Sequence, residues 1–298
     1  MSLWRLIKRW YESGRARLPE HLHSAALRRT RRDEGPLQLP VRTFASRLLR
    51  SVGAYRVYLP DVDSGCDGLP LLVMLHGCKQ DALVFAEGTR MNQLADRHGF
   101  VVLYPEQSRH ANPIGCWNWF EPEVLSGSGE AAAIAGIVRR AIKRYPVDAT
   151  RVYIAGMSAG GAMACVLSNC YGALFAACAI HSGLRYRAAS STGAALIAMR
   201  QGASDSALET ARQSSPASQP SAAFVPTLVI HGDRDETVNP VNADQVIEQA
   251  RALAENDGAS ARPLAENDER RIESSRRAYR LRDYRQGGRV VLRVTAVR

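Results

Sequence analysis

The sequence predicts an α/β domain with a doubly wound, mostly parallel central sheet and helices on both of its faces. Three observations predict it. Apolar runs such as "LPLLVMLHG", "FAACAIHSG" and "VPTLVIHG" are continuous rather than alternating and end in glycine, as strands covered on both faces do. Stretches of helical composition separate them, and repeated strand–helix alternation calls for parallel crossover connections. The chain has 298 residues, 46% of them hydrophobic, enough to bury one large core.

Residues 1–50 read as a basic arm. They carry 12 Lys and Arg against 4 Asp and Glu, a net +8 of the chain's +10, so residues 51–298 carry only +2. A nearly neutral body argues against nucleic-acid binding, although the arm could touch anionic surfaces. Leu3, Leu6, Ile7 and Trp10 fall at helical spacing, which allows a short amphipathic helix. Arg5, Lys8 and Arg9 interrupt that apolar run, so it lacks the pattern of a signal peptide. No apolar run is long enough for a transmembrane helix.

From residue 51 the elements follow in order. "AYRVYLP" reads as a strand ended by Pro60, and "LPLLVMLHG" as the next. Residues 83–98 read as a helix, "GFVVLYP" as a strand and "GEAAAIAGIVRRAIKRY" as a helix. Asp148 to Arg151 lead into the strand "RVYIAG"; "FAACAIHSG" and "VPTLVIHG" are two more. Residues 188–222, rich in Ala, Ser, Gln and Pro, read as a low-complexity loop in which "ALIAMR" could form a short helix. Residues 251–275 contain "LAEND" twice and read as a variable insertion, since two short copies do not make a solenoid. The final stretch reads as two strands joined around Gly287-Gly288. The six cysteines lack the spacing of a zinc site, and no phosphate-binding loop occurs, so neither a metal nor a cofactor is expected. Cys165, Cys170 and Cys178, in an Ala-rich apolar region, read as buried thiols.

Three motifs carry chemistry. In "RVYIAGMSAGGAMA" a strand meets Gly156-Met157-Ser158-Ala159-Gly160, and a helix follows. Glycines two residues either side of Ser158 allow a sharp turn that holds its hydroxyl proud of the sheet, as a nucleophile requires. An ordinary helix cap is the plainer alternative, but it needs no such pair of glycines. "LHGCKQ" ends a strand where an oxyanion loop commonly opens, so the Cys78 and Ala159 amides are the candidate oxyanion donors. In "VIHGDRDETVNPVN", Asp235 has the spacing of an acid that orients a catalytic base. Asp233 suits the turn, and a turn-capping role stays open for either.

"LHGCKQ", "YPEQ", "CWNWF", "GEAAAIAGIV", "RVYIAGMSAGGAMA", "HSGL" and "HGDRDETVNPVN" occur in the order found in the poly(3-hydroxybutyrate) depolymerase family of esterases. These are α/β-hydrolases related to acetylxylan and feruloyl esterases, and the resemblance covers about residues 52–245. It implies carboxylic-ester hydrolysis with Ser158 as nucleophile and Asp235 as the triad acid, acting on a polyester or small ester. It implies a secreted setting, against which the absent signal pattern leaves a cytoplasmic one open. It suggests that Trp117 and Trp119 of "CWNWF" contact an apolar acyl chain, with core packing as the alternative, and that Cys78 and Cys116 lie close enough to pair.

One member of the expected triad is not found. Such hydrolases order their triad Ser, acid, His, yet the seven histidines are 21, 23, 76, 98, 110, 181 and 231, all before Asp235. The resembling family places its base in a loop after the last strand, where this sequence stops. The expectation is therefore an esterase fold apparently truncated after that strand and impaired in turnover. Two alternatives stand beside it: a non-catalytic module that binds ester or polymer, and another activity of the same fold, such as small-molecule transfer.

Overall fold

The computed structural model describes residues 42–45, 52–62, 68–204, 224–256, 264–272 and 278–297. A sheet of ten strands forms its centre. They are β1 (Arg42–Ala45), β2 (Val52–Tyr58), β3 (Leu69–Leu75), β4 (Val101–Gln107), β5 (Val147–Met157), β6 (Ala177–His181), β7 (Thr227–Gly232), β8 (Ala265–Ile272), β9 (Ala278–Gln286) and β10 (Arg289–Val297). The spatial order is β1-β2-β4-β3-β5-β6-β7-β10-β9-β8. The six strands from β4 to β10 are mutually parallel, and antiparallel strands flank them at both edges.

Helices α1 (Ala82–Thr89), α2 (Met91–His98), α3 (Pro122–Leu125), α4 (Gly129–Arg144), α5 (Ala159–Cys170), α6 (Thr192–Gln201) and α7 (Val241–Glu255) and a 3-10 turn at Gly172–Leu174 complete the described elements. Two buried clusters show why both faces of the parallel strands are apolar. On one face Leu71, Val73, Ile154 and Val229 pack against α4, α5 and α7. On the other Leu72, Met74, Val102 and Tyr153 pack against α1 and α2. Successive residues of each strand thus enter opposite cores, so the runs read as continuous.

Most expected elements are present, with three differences. The helix expected over 83–98 is broken: Arg90 takes a left-handed conformation (φ 52°), with its amide on Glu87 O, ending α1 and starting α2. Strand β1 lies inside the stretch read as an arm; the amphipathic spacing at residues 3–10 falls outside the described residues. The stretch 251–275 holds the end of α7 and strand β8 at the sheet edge. Within 188–222, α6 includes "ALIAMR", and 205–223 lie outside the described residues. Gly287 and Gly288, both at positive φ, turn β9 into β10 as expected.

The register aligns the strand ends. Leu75 pairs with Gly156, Met157 with His181, His181 with Ile230, and Val297 with Gly232. The C-terminal ends of β3, β5, β6, β7 and β10 therefore finish along one edge, where ligands meet open parallel sheets.

Candidate active site

Ser158 sits between β5 and α5 at φ 55° and ψ −122°, a conformation that costs a non-glycine residue about 1–3 kcal/mol and persists only where its surroundings enforce it. They do so here. The Ser158 amide donates to His181 O at 2.9 Å, and its carbonyl accepts from the Ala162 amide at 3.0 Å. A Cβ on Gly156 would lie 2.1 Å from Gly160 O, and one on Gly160 would lie 2.2 Å from Leu75 O and 2.5 Å from His76 O. Both glycines are thus imposed by close backbone approach. The Ser158 residue is half-buried, and among the described residues nothing hydrogen-bonds its hydroxyl.

The turn after β3 packs against the first turn of α5 through those Leu75 and His76 carbonyls. The Gly77 amide donates to Gln80 Oε1, the Lys79 amide to Ile114 O and the Gln80 amide to Gly77 O. The Cys78 amide has no partner among the described residues. Ala159 heads α5, where helical geometry leaves the first amides unpaired and the positive dipole end favours an anion. Cys78 is disulfide-bonded to Cys116 with a Cα–Cα distance of 4.2 Å, the pairing that the resemblance suggested. Cys165, Cys170 and Cys178 are free thiols; Cys170 is only half-buried.

The two tryptophans need correction as substrate contacts. Trp117 is 0% exposed and Trp119 3%, both within the core cluster. Trp117 Nε1 donates to His76 O at 3.0 Å, so the indole supports the turn from behind. Side chains this deeply buried have little or no surface to offer an acyl chain.

Asp235 follows β7 on the turn 232–235. Its Oδ1 accepts from the Thr237 amide at 3.0 Å and the Val238 amide at 2.9 Å, which is also how a turn-capping aspartate binds. Burial raises its pKa, but hydrogen bonds from Val238, Ser182 and Thr237 and the nearby His231 outweigh it and hold the carboxyl below the usual range. Asp233 is exposed on the same turn, its amide on Val297 O.

Each described histidine has a legible setting. His76 is buried: Nδ1–H donates to Gly77 O at 2.8 Å and Nε2 accepts from the Gln107 amide at 3.1 Å. Burial holds its pKa down, the backbone bond opposing. His231 Nε2 donates to Val238 O at 2.8 Å and lies 3.7 Å from Asp235 Oδ2, while its buried Nδ1 has no partner. His181 is half-buried beside the elbow; burial and then His231 lower its pKa, against Asp235. His98 and His110 are exposed, and His21 and His23 lie outside the described residues.

Ser182 and Gln80 were missed from the sequence, although both lie inside quoted motifs, "HSGL" and "LHGCKQ". A small cavity lined by Cys165 and Gln249 and an open groove lined by Glu248, Arg251 and Tyr284 lie elsewhere. Neither is lined by Ser158, Cys78 or Asp235, and the convergence of polar groups, not cavity size, makes the strand edge the candidate site.

Comparison with known proteins accords with this geometry. The chain is 34% identical over 182 residues to poly(3-hydroxyalkanoate) depolymerase C of Paucimonas lemoignei, covering 60% of this chain and 44% of that protein. It is 36% identical over 118 residues to feruloyl esterase B of Neurospora crassa, covering 39% of each. It thus spans about half or less of the length of these curated relatives. An acetyl xylan esterase from Aspergillus awamori has the same fold, with a TM-score of 0.68 at 21% identity over 86% of this chain and 92% of that one. The architecture is that of the α/β-hydrolases. Residues 53–272 match the family described as Esterase PHB depolymerase, and the chain belongs to that family.

Proposed function

We propose that the chain is a carboxylic-ester hydrolase of the serine type. Ser158 Oγ attacks the ester carbonyl, its proton passes to a base, and the developing oxyanion accepts hydrogen bonds from the Cys78 and Ala159 amides. Collapse expels the alcohol, which takes up the proton, and water then cleaves the Ser158 acyl ester. Asp235 orients and stabilises the protonated base. The observation that carries this reading is the strained Ser158 elbow, whose helix packs at Gly160 against the Leu75 and His76 carbonyls that lead into the turn 77–80. The relatives' names support a polyester of 3-hydroxyalkanoates or a small acyl ester as substrate. The Cys78–Cys116 disulfide supports an oxidising, extracellular compartment.

As a 298-residue polypeptide the chain turns over slowly on this reading. His76 and His231 are committed to backbone partners, and no described histidine bonds the Ser158 hydroxyl. Binding without turnover is the second reading, and the same unpartnered hydroxyl favours it. Intact mass spectrometry after incubation with p-nitrophenyl butyrate separates the two. A gain of one butyryl group, mapped to Ser158 and absent in Ser158→Ala, supports the hydrolase. No adduct, with ligand still bound, supports the second reading.

A further inference from the structure

Glu130 lies in the first turn of α4, a position that from sequence suits an exposed acid complementing the helix dipole. It is instead 3% exposed. Its Oε1 accepts from Gln107 Nε2 at 2.7 Å and Asn118 Nδ2 at 2.7 Å, and its Oε2 accepts from the Asn118 amide at 2.9 Å. None of these donors can turn round. Gln107 Oε1 is held by the Ser108 amide, and its Nε2 also donates to Cys116 O. Asn112 Oδ1 is held by the Ile114 and Cys116 amides, which directs Asn112 Nδ2 to Asn118 Oδ1 and so fixes the Asn118 amide. Three donors of fixed orientation thus converge on one side chain, and only an acceptor-only carboxylate satisfies them all.

What this network holds is the other half of the disulfide. Gln107 and Asn112 bind Cys116 directly, Cys116 is bonded to Cys78, and Ile114 O takes the Lys79 amide. We infer that Glu130 is a positioning residue: through Gln107, Asn118 and the Cys116–Cys78 bridge it presets the Cys78 amide at the serine elbow. The inference rests on the hydrolase reading for its effect on rate, but not for its effect on the loop.

The test uses Glu130→Gln, which keeps size and removes the second acceptor, so that an amide donor faces the Asn118 amide. Two readouts are taken on protein whose circular dichroism matches the parent. In the first, imidazole is supplied as a base, and hydrolysis of p-nitrophenyl butyrate is followed. The kcat is expected to fall about tenfold or more with KM within about twofold, since one oxyanion donor is worth on the order of 10²–10³ in kcat and displacing it forfeits part of that. In the second, the rate of Cys78–Cys116 reduction by dithiothreitol, scored by thiol titration, is expected to rise. The reversed pair Glu130→Gln with Asn118→Asp restores one carboxylate facing one amide and is expected to recover part of both; it also serves if the single variant fails to fold. Unchanged kcat and reduction rate in Glu130→Gln would overturn the inference. If the parent shows no imidazole-supported turnover, the hydrolase reading fails and the reduction rate alone decides the clamp: faster supports it, unchanged refutes it.

Discussion

Replacing Gly160 by alanine tests the serine elbow without touching the serine. Gly160 lies in α5 at an ordinary helical φ, so an added methyl group brings no backbone strain, only its volume. That methyl carbon would lie 2.2 Å from Leu75 O, whereas real contacts do not fall below 3.0 Å, so α5 and the end of β3 must part by about 0.8 Å, an overpacking displacement. Neither partner yields easily. Leu75 is locked in register opposite Gly156, and Ala162, Met163 and Val166 of α5 are fully buried. Overpacking of this kind costs about 1–3 kcal/mol, and with two carbonyls in the way we expect about 3. The control is Gly136→Ala in the middle of α4, where an added Cβ meets nothing within 4 Å. There alanine should stabilise by about 0.5–1 kcal/mol through helix propensity. Urea titrations followed by circular dichroism give both values, and a melt should show Gly160→Ala lower by about 6–12 °C, at 2–4 °C per kcal/mol for a domain of this size. A Gly160→Ala protein within about 0.5 kcal/mol of the parent, a shift typical of an unconstrained surface site, would refute the close approach and the reason given for the glycine.

Two further outcomes follow from buried polar groups. His76 has a pKa held below its ordinary 6.5 by burial, so the folded state disfavours its protonation; the stability it contributes is present above pH 6.5 and is lost as pH falls through the folded value. His181 acts in the same direction, and Glu130, raised by burial, in the opposite one. His76→Gln, which can still accept from the Gln107 amide, should lose less stability than the parent between about pH 7.5 and 5.5 in urea midpoints; an equal loss would exclude His76 as a source. Arg293 and Asp283 form a doubly hydrogen-bonded pair at 2.6 Å, 6% and 7% exposed, between β10 and β9. Arg293→Met should cost up to about 3–5 kcal/mol by leaving the buried carboxylate with the longer, 3.7 Å contact to the more exposed Arg285, and adding Asp283→Leu should recover much of it. A double variant no more stable than the single one would contradict that account.

The parallel strands were legible because burial on both faces writes an unbroken apolar run, as at Leu71–Leu75 and Leu228–Ile230. Strand β8 was not, since "AENDERRI" carries charge along its length and its pairing with β9 is a matter of backbone hydrogen bonds. The break at Arg90 was hidden in a stretch whose composition suits one helix. In the candidate site, Ser158, Cys78 and Asp235 could be proposed from the sequence because glycine spacing and strand ends mark backbone geometry. Between the two readings left open for Trp117 and Trp119, burial favours core packing, since a sequence neighbour of a reactive motif can point away from it; Trp117 turns its N–H to His76 O and its ring to the core. Glu130 gave no signal, since a first-turn glutamate reads alike whether it faces water or three amide donors.

The most direct test of the account is the rate of p-nitrophenyl butyrate hydrolysis by the 298-residue chain as imidazole is added, with Ser158→Ala measured alongside to subtract imidazole's own reaction with the ester. Without imidazole the rate should be low, since the oxyanion donors and binding alone leave on the order of 10³–10⁴-fold over water. A Ser158-dependent rise should saturate with imidazole and be lost in Asp235→Asn, because the added base would sit between the two side chains. A high rate without imidazole that disappears in His181→Gln would show that the chain carries its own base. A rate that survives Ser158→Ala would show that the nucleophile has been misassigned.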